Sequence, residues 1–190
     1  QGQVISSLLN EKGYKSIAIT YTNSDYGKGL ADSIQTNFTG SGGKVTINVS
    51  HEEGKGDYGA EVAALSQAGG EILVVAGYLD QGGKAIIQSS IDSGAFDIFF
   101  LPDGMIGESL PKAIGPDLNG SFGVAPGTDS PGTRKFKNIV ETSGFKKGPY
   151  TPESYDATAI ILLAMQSSGS VNSQTFKSRI MEVSNSPGIK

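Results

Sequence analysis

Short apolar runs alternate with segments of helical period along this chain, and few folds satisfy that pattern. The runs fall near residues 16–21, 44–49, 71–76, 97–101 and 121–125, a spacing of roughly 25 residues that suits a strand, a crossover helix and two short loops. Between them Leu30, Ile34 and Phe38 recur at i, i+4, i+8, Val62 and Leu65 at i, i+3, and Ile87 and Ile91 at i, i+4. Each intervening helix therefore has one apolar face to lay on a sheet. The pattern predicts an α/β chain: a doubly wound, mostly parallel sheet flanked by helices. The runs Ser16-Ile17-Ala18-Ile19-Thr20-Tyr21, Ile72-Leu73-Val74-Val75-Ala76 and Ile98-Phe99-Phe100-Leu101 lead into loops that carry Tyr26, Tyr78 and Asp103. Parallel strands would bring those loops to one rim, where open α/β sheets bind ligands.

Element boundaries agree with this reading. Gly13, Gly69 and Gly94 follow helical segments, at positions where a positive φ ends a helix without strain only for glycine. Asp57 is placed to open the helix that carries Val62. Further on, Ser130-Pro131 and Thr151-Pro152-Glu153 set a hydroxyl directly before proline, a helix-start signal because proline lacks only an N–H that the first turn leaves unpaired. Phe136, Ile139 and Val140, then Ala159, Ile160, Leu162 and Leu163, then Phe176, Ile180 and Val183 keep helical spacing. From Pro131 onward the chain reads as helical.

A chain of 190 residues with 37% hydrophobic and 18% charged residues can bury a sizeable core, and nothing in it argues for disorder. No run approaches the length of a spanning helix, and Gln1-Gly2-Gln3-Val4 lacks the basic, apolar and small-residue order of a secretory signal. The absence of cysteine excludes a disulfide framework or thiolate metal site and is compatible with an oxidising compartment. A net charge of -4 without a basic block argues against nucleic acid. Arg134-Lys135 with Lys137, and Lys146-Lys147, read as solvated faces.

Catalytic and cofactor motifs fail in detail. Gly77-Tyr78-Leu79-Asp80-Gln81-Gly82-Gly83-Lys84-Ala85 has the place of a phosphate loop, yet Tyr78 stands where its first glycine belongs and Ala85 where its magnesium hydroxyl belongs. Gly27-Lys28-Gly29-Leu30-Ala31-Asp32 begins like a dinucleotide fingerprint and ends on Asp32 instead of a small residue. His51 is the sole histidine, so a two-histidine metal site is excluded. Beside Glu52, Glu53, Gly54, Lys55 and Gly56 it reads as part of an exposed polar turn. No Gly-x-Ser-x-Gly elbow occurs, and serines such as Ser24 and Ser89 have no histidine with which a triad could be built. Three glycosylation patterns, at Asn37, Asn48 and Asn119, decide nothing.

A resemblance emerges from these residues taken in order. Ala18-Ile19-Thr20-Tyr21, then Asp25-Tyr26-Gly27-Lys28-Gly29-Leu30, then Ala76-Gly77-Tyr78, Leu101-Pro102-Asp103-Gly104 and Ser154-Tyr155-Asp156-Ala157 together resemble type I periplasmic solute-binding proteins, in the leucine/isoleucine/valine-binding branch that serves ABC importers. The resemblance implies two lobes closing on an amino acid or similar small ligand, no enzymatic activity and no cofactor. It implies a membrane permease as partner and a periplasmic or extracytoplasmic location, lipid-anchored or not, with any signal peptide outside these residues. Residues 1–12 would be a crossover helix, 13–125 the second ligand-binding lobe, and 131–190 a helical segment returning toward a first lobe whose sheet is absent. Those returning helices should expose apolar surface or pair with another copy. Carried over by position, Tyr26, Tyr78, Asp103 and Tyr150 line the ligand site. The acidic residue would pair with the ligand's ammonium, one methylene shorter than the glutamate common there. Independently of the resemblance, an ammonium leaving water needs an ionised acceptor, and phenol faces attract cations. Two other classes stay open: a ligand-sensing domain of a receptor or transcription regulator with the same fold, and a small α/β enzyme, which the broken glycine motifs disfavour.

Overall fold

The computed structural model describes residues 1–127, 130–145, 148 and 150–185. The Lys146-Lys147 pair and residues 186–190 lie outside the described residues. The chain divides into two compact units, residues 1–125 and 126–190.

The first unit alternates helix and strand: α1 (Gly2–Glu11), β1 (Ser16–Thr22), α2 (Asp25–Gly40), β2 (Lys44–His51), α3 (Gly59–Ala68), β3 (Ile72–Ala76), α4 (Lys84–Asp92), β4 (Phe99–Leu101), α5 (Ser109–Ile114) and β5 (Phe122–Gly123). All strand pairs are parallel, and the sheet runs in the order β2-β1-β3-β4-β5. This is the α/β fold that the alternation predicts. Strand β3 is buried at every position, as a central parallel strand covered on both faces must be. The period of two sends Ile17, Ile19, Ile72, Val74 and Phe100 to the face packed by α1 and α2. Ala18, Leu73, Val75, Phe99 and Leu101 go to the face packed by α3 and α4. Two cores result, one on each side of the sheet.

Helix-period residues lie where the spacing puts them: Ile34, Phe38, Leu65 and Ile87 are fully buried. Gly13, Gly69 and Gly94 take positive φ values of 91°, 70° and 66°. Asp57 Oδ1 accepts the Gly59 N–H at 2.9 Å and so helps to open α3. Strand ends differ from expectation at the far edge, where β5 shrinks to two residues. A Cβ on Gly123 would lie 1.9 Å from the Leu101 carbonyl oxygen, so the segment there lies tight against its neighbour with little side chain to bury. On the opposite edge, β2 carries a bulge at Thr46, whose hydroxyl donates to the Gly69 carbonyl at 2.6 Å. The bulge residue thus spends its polar group on the loop that leads into β3.

The second unit holds α6 (Pro131–Ser143), α7 (Thr151–Ser168), α8 (Ser173–Phe176) and α9 (Ile180–Asn185). Ser130 caps α6 as its position before proline predicts, accepting the Thr133 N–H at 3.1 Å. Thr151 does not cap α7. Its hydroxyl closes the preceding turn instead, donating to the Gly148 carbonyl at 2.8 Å and accepting the Gly148 N–H at 2.9 Å. Arg134, Lys135 and Lys137 are exposed along α6. Apolar side chains stand in solvent too, among them Leu162, Leu163 and Met181 at 60%, 51% and 68% exposure. Among the described residues no helix is long and apolar enough to cross a membrane.

Phe38 is fully buried in the core under α2, with Gly43 pressed against its ring. Phe38→Ala should therefore lower the unfolding free energy by about 3–5 kcal/mol in a denaturant titration; a loss below about 1 kcal/mol would show that the face is not packed as described.

Candidate functional site at the β1–β3 switch point

Strands β1 and β3 are neighbours, yet the chain leaves β1 through α2 on one face and leaves β3 through α4 on the other. A strand order of this kind opens a crevice where the two connections diverge, at the carboxyl ends of the strands. Tyr26 and Tyr78 stand on either side of it.

Tyr26 lies in the first turn of α2, which Ser24 starts by accepting the Gly27 N–H at 3.1 Å. Tyr78 follows β3 directly, and Asp103 opens the short turn Asp103–Met105 after β4. The three side chains meet. Tyr26 donates its phenol hydrogen to Asp103 Oδ1 at 2.6 Å. Its ring lies 5.0 Å from that of Tyr78, tilted by 35°. Tyr26 and Asp103 are half-buried, while Tyr78 is 40% exposed. Solvent thus reaches the group from the Tyr78 side.

Two glycines make this convergence possible. A Cβ on Gly104 would lie 2.3 Å from the Gly77 carbonyl oxygen and 3.0 Å from the Tyr78 ring, and one on Gly77 would lie 2.0 Å from Thr22 Oγ1. Any side chain at either position would push the loops apart. The loop after β4 is therefore seated on the loop after β3, which is seated on the end of β1.

The side chain of Gln1 also donates to Asp103 Oδ1. That contact spans 102 residues of sequence, and no local signal announces it. Tyr150, the remaining residue expected at the site, belongs to the second unit. It stands directly before α7 with φ 65° and ψ 9°, and it is the one non-glycine with positive φ among the described residues.

One sequence reading is overturned. His51 is not part of an exposed turn: it ends β2 and is 1% exposed. Its Nδ1 lies 2.9 Å from Thr20 Oγ1, its Nε2 lies 3.2 Å from Thr22 Oγ1, and its ring stands edge-on to Tyr58. The physical reason is the strand period. Ile47 and Val49 pack into the core on the α3 side, and two residues further on the same alternation turns His51 inward. Burial pushes its pKa below the ordinary value of 6.5, against the opposing pull of the Gln81 backbone and of Glu61 and Glu52.

The two broken glycine motifs have structural uses. Asp32 pairs with Lys28 at 2.6 Å on the exposed side of α2, and the segment Leu79–Gly83 forms a wide turn before α4. Among the described residues no cluster of three His, Cys, Asp or Glu could hold a metal ion. What the rim offers is a carboxylate oriented by two donors beside two phenol rings, suited to a cationic or amphipathic small group.

Comparison with known proteins agrees with this fold. The profile of the periplasmic binding protein family matches residues 2–189. A curated relative, Leu/Ile/Val-binding protein homolog 1 of Brucella melitensis, is 29% identical over 161 residues, covering 83% of this chain and 43% of its own. Among solved structures, the leucine binding protein LivK of Thermotoga maritima superposes with a TM-score of 0.80 at 22% identity, over 95% of this chain and 53% of that one. The branched-chain amino acid transporter substrate-binding protein LivJ of Streptococcus pneumoniae, solved with isoleucine, gives 0.78 at 21% identity over 95% and 52%. The chain spans less than half the length of that curated relative and about half of each solved chain.

Because native His51 resists a proton that the unfolded chain accepts, its contribution to stability is complete above pH 6.5. It is lost as pH falls from there toward the depressed native value. A melting-temperature series from about pH 7.5 to about pH 5 should show an acid loss that His51→Gln reduces; identical acid slopes in both proteins would mean that the buried imidazole does not titrate in this way. The strand order and a family match over nearly the whole length agree, and the chain belongs to the periplasmic binding protein family.

Proposed function

We propose that this chain supplies one wall of a solute-binding cleft that captures an amino acid of the branched-chain type, or a similar small polar ligand, between two lobes. In this reading residues 13–125 form the second lobe and residues 1–12 the crossover helix that reaches it. Residues 131–190 return toward the first lobe. The protein would work outside the cytoplasm, hand its ligand to an ABC permease in the membrane, and catalyse no reaction.

One observation carries the proposal: Asp103, Tyr26 and Tyr78, drawn from three loops, meet at the switch point of the sheet with Tyr78 still open to solvent. An α-ammonium entering there would exchange water for a charge-assisted bond to Asp103. The ring of Tyr78 would lie against the ligand's carbon chain or its cation. The names of the relatives support an amino acid as the ligand class, since that curated protein is a Leu/Ile/Val-binding homologue and the LivJ structure contains isoleucine. Apolar surface on α7 and α9 is what a segment packed on further structure would present.

Titration calorimetry of the full-length gene product with leucine, isoleucine and valine tests this. Binding should be measurable, and Asp103→Ala should weaken it by about 2 kcal/mol or more, the scale of a lost bond to a charged group. Unchanged affinity in the variant would remove Asp103 from the site. These residues alone should bind the same amino acids weakly or not at all.

A further inference from the structure

The buried imidazole of His51 sits at a junction of three strand ends. From β1, Thr20 and Thr22 contact its two ring nitrogens at 2.9 Å and 3.2 Å. From the loop after β3, the Tyr78 N–H donates to Thr22 Oγ1 at 3.4 Å, and Thr22 Oγ1 donates to the Gln81 carbonyl at 3.5 Å. Both loop bonds are long, so packing shares the restraint with them. A Cβ on Gly82 would lie 2.6 Å from the Tyr58 hydroxyl and 3.0 Å from His51 Cδ2, which puts the loop backbone directly on the two rings. Tyr58 is itself held, donating to the Glu52 carbonyl at 2.8 Å.

These bonds close without a leftover donor in one arrangement of protons. The Thr20 hydroxyl donates to Nδ1, Nε2–H donates to Thr22 Oγ1, and the Thr22 hydroxyl donates onward to Gln81. A protonated ring would reverse the first of these bonds. The Thr20 hydroxyl, fully buried, would then have to give up its bond to Nδ1 and find an acceptor elsewhere. The charged groups around the ring are Glu52 beside it and Glu61 from α3, the latter paired with Lys55; both favour a proton on His51, and burial outweighs them.

We infer that His51 is a positioning residue for Tyr78: acting through Thr22 and through its contact under Gly82, it fixes the loop from Tyr78 to Gly83 and so sets the ring at the rim. The link to ligand capture rests on the function proposed above, whereas the restraint on the loop is a property of this chain alone. Any uncharged, correctly placed ring would fill the space. Only one with a donor on the Thr22 side and an acceptor on the Thr20 side also completes the hydrogen bonds.

Amide hydrogen exchange on the wild type and on His51→Phe, Thr22→Val and Thr22→Ser reads this directly. Protection at Tyr78, Gln81 and Gly83 should fall about tenfold in the phenylalanine and valine variants, the scale of one buried hydrogen bond. Thr22→Ser, which keeps the hydroxyl, should restore it, while amides at Leu73 and Val74 stay unchanged. In the full-length gene product leucine affinity should fall in the same two variants and recover with serine. Unaltered protection in the loop would overturn the inference, and so would an equal loss across β1, β2 and β3, which would make His51 a core residue and nothing more. Absence of leucine binding by the wild type, with the loop effect intact, would remove the ligand reading and leave the restraint standing.

Discussion

The rim exists because three loops approach each other more closely than any side chain would allow. Gly77 rests on Thr22 and Gly104 rests on Gly77, with less than 3 Å to the position of a hypothetical Cβ in both cases. This contact needs strands whose carboxyl ends are level, which the parallel register of β1 with β3 and of β3 with β4 provides. It also needs connections that leave in opposite directions, so that the crevice between them stays open. Remove either condition and Asp103 no longer reaches Tyr26. The tyrosine hydroxyl in turn orients the carboxylate, and the fold's geometry becomes a chemical group aimed at solvent.

Much of this was legible in the sequence because the signals are local. Runs such as Ile72–Ala76 and helical faces such as Leu30, Ile34 and Phe38 are periodic within a few residues, and burial follows the period. The loops carrying Tyr26, Tyr78 and Asp103 could be assigned to one rim once parallel strands were inferred, since strand direction alone decides it. Features that depend on distant partners were hidden. Gln1 meets Asp103 across more than half of the chain, and Thr151 turns back to Gly148 instead of capping the helix it begins. The charged and glycine-rich residues that follow His51 mask the strand that ends on it. Continuing the alternation from Ile47 and Val49 by one step would have placed it inside. At β5 the apolar run is longer than the strand, because Gly123 contributes no side chain to it.

The two units differ in how their apolar residues are used. In residues 1–125 the large aliphatic and aromatic side chains are mostly enclosed between sheet and helices. In residues 126–190 Ser130 caps α6 and Asn172 caps α8, yet α7 and α9 present leucine and methionine to solvent. Helices of this kind gain most of their stability from packing, not propensity. That contrast fits a second unit that completes its core against structure outside these residues, as the proposed return to a first lobe requires.

The central claim is that the Asp103 carboxylate, framed by Tyr26 and Tyr78, receives the cationic end of an amino acid. A crystal structure of the full-length gene product with isoleucine bound tests it most directly. The account predicts the ligand's ammonium nitrogen within hydrogen-bonding distance of Asp103 and its body against the Tyr78 ring. Isoleucine bound elsewhere, or bound here with its ammonium turned away from Asp103, would contradict it.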